Sequence, residues 1–211
     1  QNYEDTVKID RFFIGQSRFS LESLAVLPVV NSFAFVFRCF GLSFQETGVA
    51  LMGEGNSGLA PLRRFAVRLA AATSAAYALV VLTPLAGIWF SGVSGLTDEL
   101  TAFALGPARI IVLLPALEVL LSLQRSVLVN VRRTTPITWA TAVEVVGILA
   151  VLAVAIRGFD AVGAIAATSG YLVGKLAHNI ALLRPYLSAL LPGGRRHFPE
   201  SSAPPGSYKS P

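Results

Sequence analysis

The stretch LAAATSAAYALVVLTPLAGIWF, residues 69–90, decides the fold of this chain because it contains no charged side chain. A helix on the surface of a soluble protein carries a polar, usually charged face, and this stretch has none. The hydrocarbon core of a bilayer, about 30 Å thick, is crossed by about 20 apolar residues of helix at about 1.5 Å per residue. The stretch therefore predicts a membrane-spanning helix.

Four further apolar stretches raise the expected number of membrane-spanning helices to about five. They cover residues 21–44, 102–123, 136–156 and 161–183. Hydrophobic residues make up 54% of the 211-residue chain and charged residues 14%, whereas a soluble domain carries about 25% charged residues. We therefore predict an all-α membrane protein in which residues 1–191 form one helical bundle embedded in a lipid bilayer. Residues 192–211 are rich in Pro, Gly and Ser, which predicts a disordered tail.

Arginines between the apolar stretches predict the orientation of this bundle. They follow the first, third and fifth stretches, as Arg63, Arg64, Arg68, Arg125, Arg132, Arg133, Arg184, Arg195 and Arg196. Loops rich in basic residues stay on the cytoplasmic side, so a multi-pass protein of the inner (plasma) membrane with a cytoplasmic C-terminus is expected. The net charge of +5 reflects these loops. Because the basic residues form no stripe with aromatic residues, no nucleic-acid partner is expected.

Motifs for catalysis, metal binding or cofactor binding are weak. Residues 53–58, GEGNSG, fit the pattern G-x-G-x-x-G. A dinucleotide site needs a strand before that pattern, and here a membrane helix precedes it. The single Cys39 and the widely separated His178 and His197 offer no metal-binding spacing. We expect no enzymatic activity, no metal and no cofactor.

Polar side chains inside the apolar stretches are the candidates for substrate or ion binding. The candidates are Asn31, Arg38, Gln45, Glu46, Arg109, Glu118 and Glu144. The first three are seven residues apart, which places them on one helix face. Arg109 lies on the opposite side of its helix from Glu118. The fifth stretch adds Lys175, with His178 and Asn179 one turn further on.

A charge at bilayer depth costs at least about 2.5–3.5 kcal/mol, so these side chains are expected to face a protein interior or a water-filled cavity. Two interpretations stay open. Arg38, Glu118 and Glu144 take part directly in transport, or Arg38 forms a structural pair with one of the two glutamates. Arg125 and Lys175 are expected to snorkel, extending their charged ends toward the membrane surface.

Small residues and prolines predict the shape of the helices. Ala166, Gly170 and Gly174 recur every four residues and form a smooth strip suited to close packing against another helix of the same chain. Three prolines lie inside apolar stretches, Pro28, Pro84 and Pro115. Each removes a backbone donor and is expected to kink its helix, either as a hinge or as passive curvature.

Three segments carry a resemblance to a known superfamily. SLESLAVLP at residues 20–28, running on to VALMG at 49–53, resembles the second helix of a six-helix lobe in the MATE-like flippase superfamily. RSVLVNVRRTTPI at 125–137 resembles the loop joining the fourth and fifth helices of that lobe, and FDAVGAIA at 159–166 resembles the entry to its last helix. Residues 104–179 are also similar to the progressive ankylosis proteins of the same superfamily.

The resemblance implies that the chain is most of the C-terminal lobe of a two-lobed transporter, with a missing N-terminal lobe of the same protein as its partner. Such a protein exports a small anionic or amphipathic substrate by alternating access, coupled to H⁺ or Na⁺. In that reading Arg38 holds an anionic group, and Glu118 or Glu144 exchanges the ion. The alternatives are a flippase for a lipid-linked saccharide and a membrane scaffold subunit that transports nothing.

Overall fold

Helices account for nearly all of the residues that the computed structural model describes, which are 20–53, 57–159 and 162–191. The long helices are α1 (Ser20–Leu51), α2 (Leu59–Leu82), α4 (Asp98–Ile110), α5 (Leu114–Asn130), α6 (Thr135–Phe159) and α7 (Gly163–Leu190). A short α3 (Leu85–Gly87) continues into a π-helical segment, Ile88–Val93, and a 3₁₀ turn, Ile111–Leu113, joins α4 to α5. The described ranges contain no β-strand. The tail predicted at residues 192–211 lies outside them.

Four helical stretches are long and apolar enough to cross a membrane, namely Leu21–Leu51, Leu59–Leu82, Asp98–Asn130 and Thr135–Ala155. Large apolar side chains such as Leu79, Val146 and Ile180 point outward, each more than 60% exposed. The prediction of an all-α membrane bundle is confirmed.

The fifth predicted span, residues 161–183, overlaps α7, which is not among the helices apolar enough to cross a membrane. With 28 residues α7 is long enough, but Lys175, His178 and Asn179 interrupt its apolar sequence. All three side chains are buried. α7 contacts α1, α4, α5 and α6, so its polar side chains lie against protein.

Two of the three prolines mark real interruptions. α2 ends at Leu82, just before Pro84, and the chain resumes as α3 and the π-helical segment. Pro115 stands in the first turn of α5, directly after the 3₁₀ turn. The backbone N–H of Ala116 beside this break donates to Ser74 Oγ of α2 at 3.1 Å, which satisfies a donor that would be costly to bury. Pro28 lies within the unbroken α1.

Contacts near the ends of the helices show which ends lie together. Asn130 Nδ2, at the end of α5, donates to the carbonyl of Gly53 after α1 at 3.2 Å. At the opposite end, the N–H of Ala164 donates to Ser23 Oγ at 3.1 Å, joining the starts of α7 and α1. Tyr186 near the end of α7 packs against the core cluster that contains Met52, just after α1, and Leu62 at the start of α2. The described arginines of the three basic segments therefore lie toward one end of the bundle, here called the arginine end.

The strip of small residues on α7 packs against α6, as predicted. A Cβ atom on Gly170 would lie 3.3 Å from the carbonyl oxygen of Ile148. A Cβ atom on Gly174 would lie 3.0 Å from the carbonyl oxygen of Glu144 and 2.5 Å from a side-chain carbon of Ile148. Any larger residue at position 174 would force the two backbones apart.

Substitution Gly174→Ala should destabilise the bundle by about 1–3 kcal/mol, because overpacking a tight helix contact forces backbone shifts. The measurement is equilibrium unfolding of the detergent-solubilised protein. Gly106→Ala is the matched control, since a Cβ there meets nothing within 4 Å, and it should be neutral or slightly stabilising. Equal stability of the two variants would contradict the close packing of α6 and α7.

Candidate functional site

Four helices bring charged and ionisable side chains together in the interior of the bundle. The members are Arg38 of α1, Glu118 and Arg125 of α5, Glu144 of α6, and Lys175 and His178 of α7. We call this set the buried charge network. Its members come from four separate helices, so only the folded bundle assembles them.

Lys175 occupies the centre of the network. Its Nζ lies 3.0 Å from Glu144 Oε1 and 3.5 Å from Glu118 Oε2. Glu118 is 2% exposed, Lys175 6% and Glu144 8%. Buried charges are tolerated when oppositely charged partners replace the lost water, and one ammonium group here does so for two carboxylates.

Arg38 extends the network toward the surface of the bundle. Its Nη2 lies 3.3 Å from Glu118 Oε2, and its side chain is 18% exposed, more than its paired partners. The Arg38 guanidinium carbon also lies 5.2 Å from the centre of the Tyr171 ring, and Lys175 Nζ lies 5.8 Å from the same ring. At these distances the ring face attracts both cations.

His178 extends the network in the other direction. Its Nδ1 lies 2.5 Å from Glu144 Oε2, and its Nε2 lies 3.4 Å from Arg125 Nη2. A guanidinium group only donates hydrogen bonds, so Nε2 accepts from Arg125 and Nδ1–H donates to the carboxylate. This arrangement assigns the neutral form of the imidazole.

With His178 neutral, the network holds three cations and two carboxylates, which leaves one surplus positive charge. Nε of Arg38 and Nε of Arg125 are buried and have no hydrogen-bond partner among the described residues. The guanidinium groups therefore keep unused donor capacity inside the bundle. An anionic group is the chemical complement of such a site.

The structure unites three of the seven candidates chosen from sequence. Arg38, Glu118 and Glu144 all belong to the network, and the Arg38–Glu118 pair is one of the two structural pairings left open. Gln45 is half-buried, and its backbone carbonyl oxygen accepts a hydrogen bond from Ser126 Oγ at 3.0 Å.

The other three candidates, Asn31, Glu46 and Arg109, have exposed side chains. None of them joins the network.

The expectation that Lys175 snorkels is wrong, because its side chain is buried near the middle of α7. Arg125, the other residue expected to snorkel, is half-buried and contacts His178. The physical reason is that carboxylates on neighbouring helices compensate the lysine where it stands. The sequence did carry a signal, since Lys175 and His178 are three residues apart and therefore share a face of α7.

A groove of about 830 Å³ lies apart from the network, at the arginine end. None of the residues that line it belongs to the network. The part of the chain that the structure describes contains no cluster of three or more His, Cys, Asp or Glu side chains placed to hold a metal ion.

The fold and the network define the class as an integral membrane protein, an all-α bundle with ionisable groups held in its interior. Comparison with protein-family models, curated proteins and solved structures finds no match to this chain. The resemblance to MATE-like transporters therefore stays a prediction from sequence.

Substitution Lys175→Met should destabilise the protein by about 3–5 kcal/mol, because it removes the cation shared by two buried carboxylates. Equilibrium unfolding in detergent micelles measures the effect. Arg109→Met is the control, since its exposed side chain lies outside the network, and it should change stability by less than about 0.5 kcal/mol.

The double variant Lys175→Met/Glu144→Gln should recover part of the lost stability, because it also removes one of the carboxylates left without its lysine. Strict additivity of the two single effects would show that the ammonium group and the carboxylate do not interact.

Proposed function

We propose that this chain is part of a membrane transporter in which the buried charge network couples proton binding to the binding of a small anionic substrate. The observation that carries the proposal is the single lysine shared by two buried carboxylates, with Lys175 Nζ 3.0 Å from Glu144 and 3.5 Å from Glu118. Ionisable groups inside a membrane are costly to keep and commonly mark ion or substrate pathways.

The coupling follows from the charge balance around Lys175. When a proton binds to the Glu144–His178 pair, the net charge of that pair changes from −1 to zero. Glu118 is then the carboxylate that compensates Lys175. Because Lys175 is no longer shared, it compensates Glu118 more fully, and the Arg38 guanidinium group becomes available to an external anion. Proton binding and anion binding therefore favour each other, as linkage requires.

A proton suits this network better than Na⁺. Both oxygens of Glu144 already have partners, Lys175 and His178. A sodium ion would have to displace Lys175 or His178 to reach Glu144. A proton, in contrast, needs no set of coordinating oxygens and can bind His178 Nε2 by displacing only the hydrogen bond from Arg125.

A small anion suits it better than a lipid-linked saccharide. A pyrophosphate group calls for several Arg or Lys donors around one pocket. The two arginines of the network contact different members of it, since Arg38 pairs with Glu118 and Arg125 contacts His178, and the exposed Arg109 is not part of the network. In a protein built from two lobes, the substrate site would lie between them and be exposed by rocking one lobe against the other.

A membrane scaffold subunit is the competing function. Two observations favour it: the charges of the network pair with one another, and the groove of about 830 Å³ does not reach them. In a scaffold the network would serve stability alone and exchange no protons. The two functions therefore differ in a property that can be measured without knowing the substrate.

The test is charge displacement after a rapid pH jump on proteoliposomes adsorbed to a solid-supported electrode. The full-length wild-type protein should give a transient current, because protons enter and leave the Glu144–His178 pair. Glu144→Gln should abolish at least about nine-tenths of the transient, because it removes the carboxylate that compensates a protonated His178 between the cations Lys175 and Arg125. Glu46→Gln, which removes an exposed carboxyl group outside the network, should leave it unchanged.

A wild-type transient no larger than that of empty liposomes would sink the transporter proposal and leave the scaffold. So would an undiminished transient from Glu144→Gln. If that variant does not fold, His178→Gln provides the same comparison, and size-exclusion chromatography in detergent shows which variants are folded.

A further inference from the structure

The residues that line the groove at the arginine end include two arginines and several apolar side chains. Arg133 and Arg184 supply the positive charge, from the loop after α5 and from the last turns of α7. Pro136, Leu187 and Leu191 are among the apolar residues that line it. Leu187 is 52% exposed and Leu191 65% exposed. Neither leucine packs into a core at that end, so apolar surface lies open beside cationic groups.

The position of Trp139 indicates the depth of this groove in the membrane. Trp139 lies one helical turn beyond Pro136 and is 71% exposed. Tryptophans on the outside of membrane proteins concentrate at the level of the lipid headgroups. The groove therefore lies at the boundary between headgroups and acyl chains, and not in water far from the bilayer.

The described residues of the surrounding surface carry charges of mainly one sign. Exposed arginines at this end are Arg63, Arg64, Arg68, Arg132, Arg133 and Arg184. Among the described residues near this end, Glu46 is the nearby carboxylate, whereas Asp98 and Glu99 lie at the start of α4 toward the opposite end. Basic pockets between helices at the membrane surface attract anionic lipid headgroups.

We infer that this groove binds one anionic phospholipid from the adjoining membrane leaflet. The phosphate group lies between Arg133 and Arg184, and the acyl chains run along Pro136, Leu187 and Leu191. The apolar walls favour a lipid over a free phosphate ion, because they contribute only when acyl chains cover them. The arginines favour an anionic lipid over a zwitterionic one.

Native mass spectrometry of the full-length protein in detergent tests this inference. The protein is mixed with equal amounts of phosphatidylglycerol and phosphatidylcholine. The wild type should retain one phosphatidylglycerol in clear preference. Arg133→Gln/Arg184→Gln should reduce that retention about tenfold or more, the size expected for two membrane-surface cations. Arg64→Gln/Arg68→Gln changes the charge equally outside the groove and should retain the lipid.

Three outcomes would overturn the inference. Equal retention of both lipids would show that the arginines do not select the headgroup. Equal losses in the two double variants would show general attraction and no site. Displacement of the lipid by inorganic phosphate at millimolar concentration would show that the ligand is a free anion.

Tryptophan quenching gives a second measurement that needs no arginine variant. Phosphatidylglycerol brominated on its acyl chains should quench the fluorescence of the wild-type protein more than brominated phosphatidylcholine does. That difference should vanish in Trp139→Phe, because Trp139 lies beside the groove. Persistence of the full difference in Trp139→Phe would place the anionic lipid elsewhere on the protein.

Discussion

The interior of the bundle depends on one electrostatic constraint, the sharing of Lys175 between Glu118 and Glu144. Each carboxylate comes from a different helix, and the lysine comes from a third. Removing charges from water costs several kcal/mol per ion, and only good geometry among the partners returns it. These three side chains therefore restrict how α5, α6 and α7 can pack side by side.

Close helix packing and this ionic contact depend on each other. Gly174 lets α7 approach α6 so closely that a Cβ atom there would lie 3.0 Å from the carbonyl oxygen of Glu144. The next residue along α7 is Lys175, which contacts the side chain of the same glutamate at 3.0 Å. Because Gly174 lets the two helices approach, the adjacent Lys175 lies within hydrogen-bonding distance of Glu144. Ion pairing with Arg38 brings α1 into the same arrangement.

Two surfaces of the bundle differ in their chemistry. The outward faces of the helices carry large apolar side chains such as Leu79 and Val146, suited to hydrocarbon. The arginine end carries exposed guanidinium groups and a partly apolar groove. A proton-exchanging interior and a lipid-binding rim would be compatible in one transporter lobe, because they use different residues on different parts of the bundle.

The sequence by itself determined that the protein is helical and surrounded by lipid. Uncharged runs such as residues 69–90 leave no polar face for water, and only helices satisfy backbone hydrogen bonds locally in hydrocarbon. It also indicated Arg38, Glu118 and Glu144, because charges inside such runs are exceptional. Glycine spacing on α7 predicted a face suited to close helix packing for a similar reason, since helix periodicity is local, and the structure identified α6 as the partner.

Only the tertiary structure decided which of these charges meet. Lys175 looked like a side chain that reaches for the membrane surface, yet carboxylates from two other helices surround it in the interior. Asn31 and Arg38 are seven residues apart and were expected on one helix face, but Asn31 is exposed and Arg38 pairs with Glu118. Helix periodicity sets which residues share a face. The neighbour that each face meets depends on how separate helices pack against one another, and no local pattern encodes that.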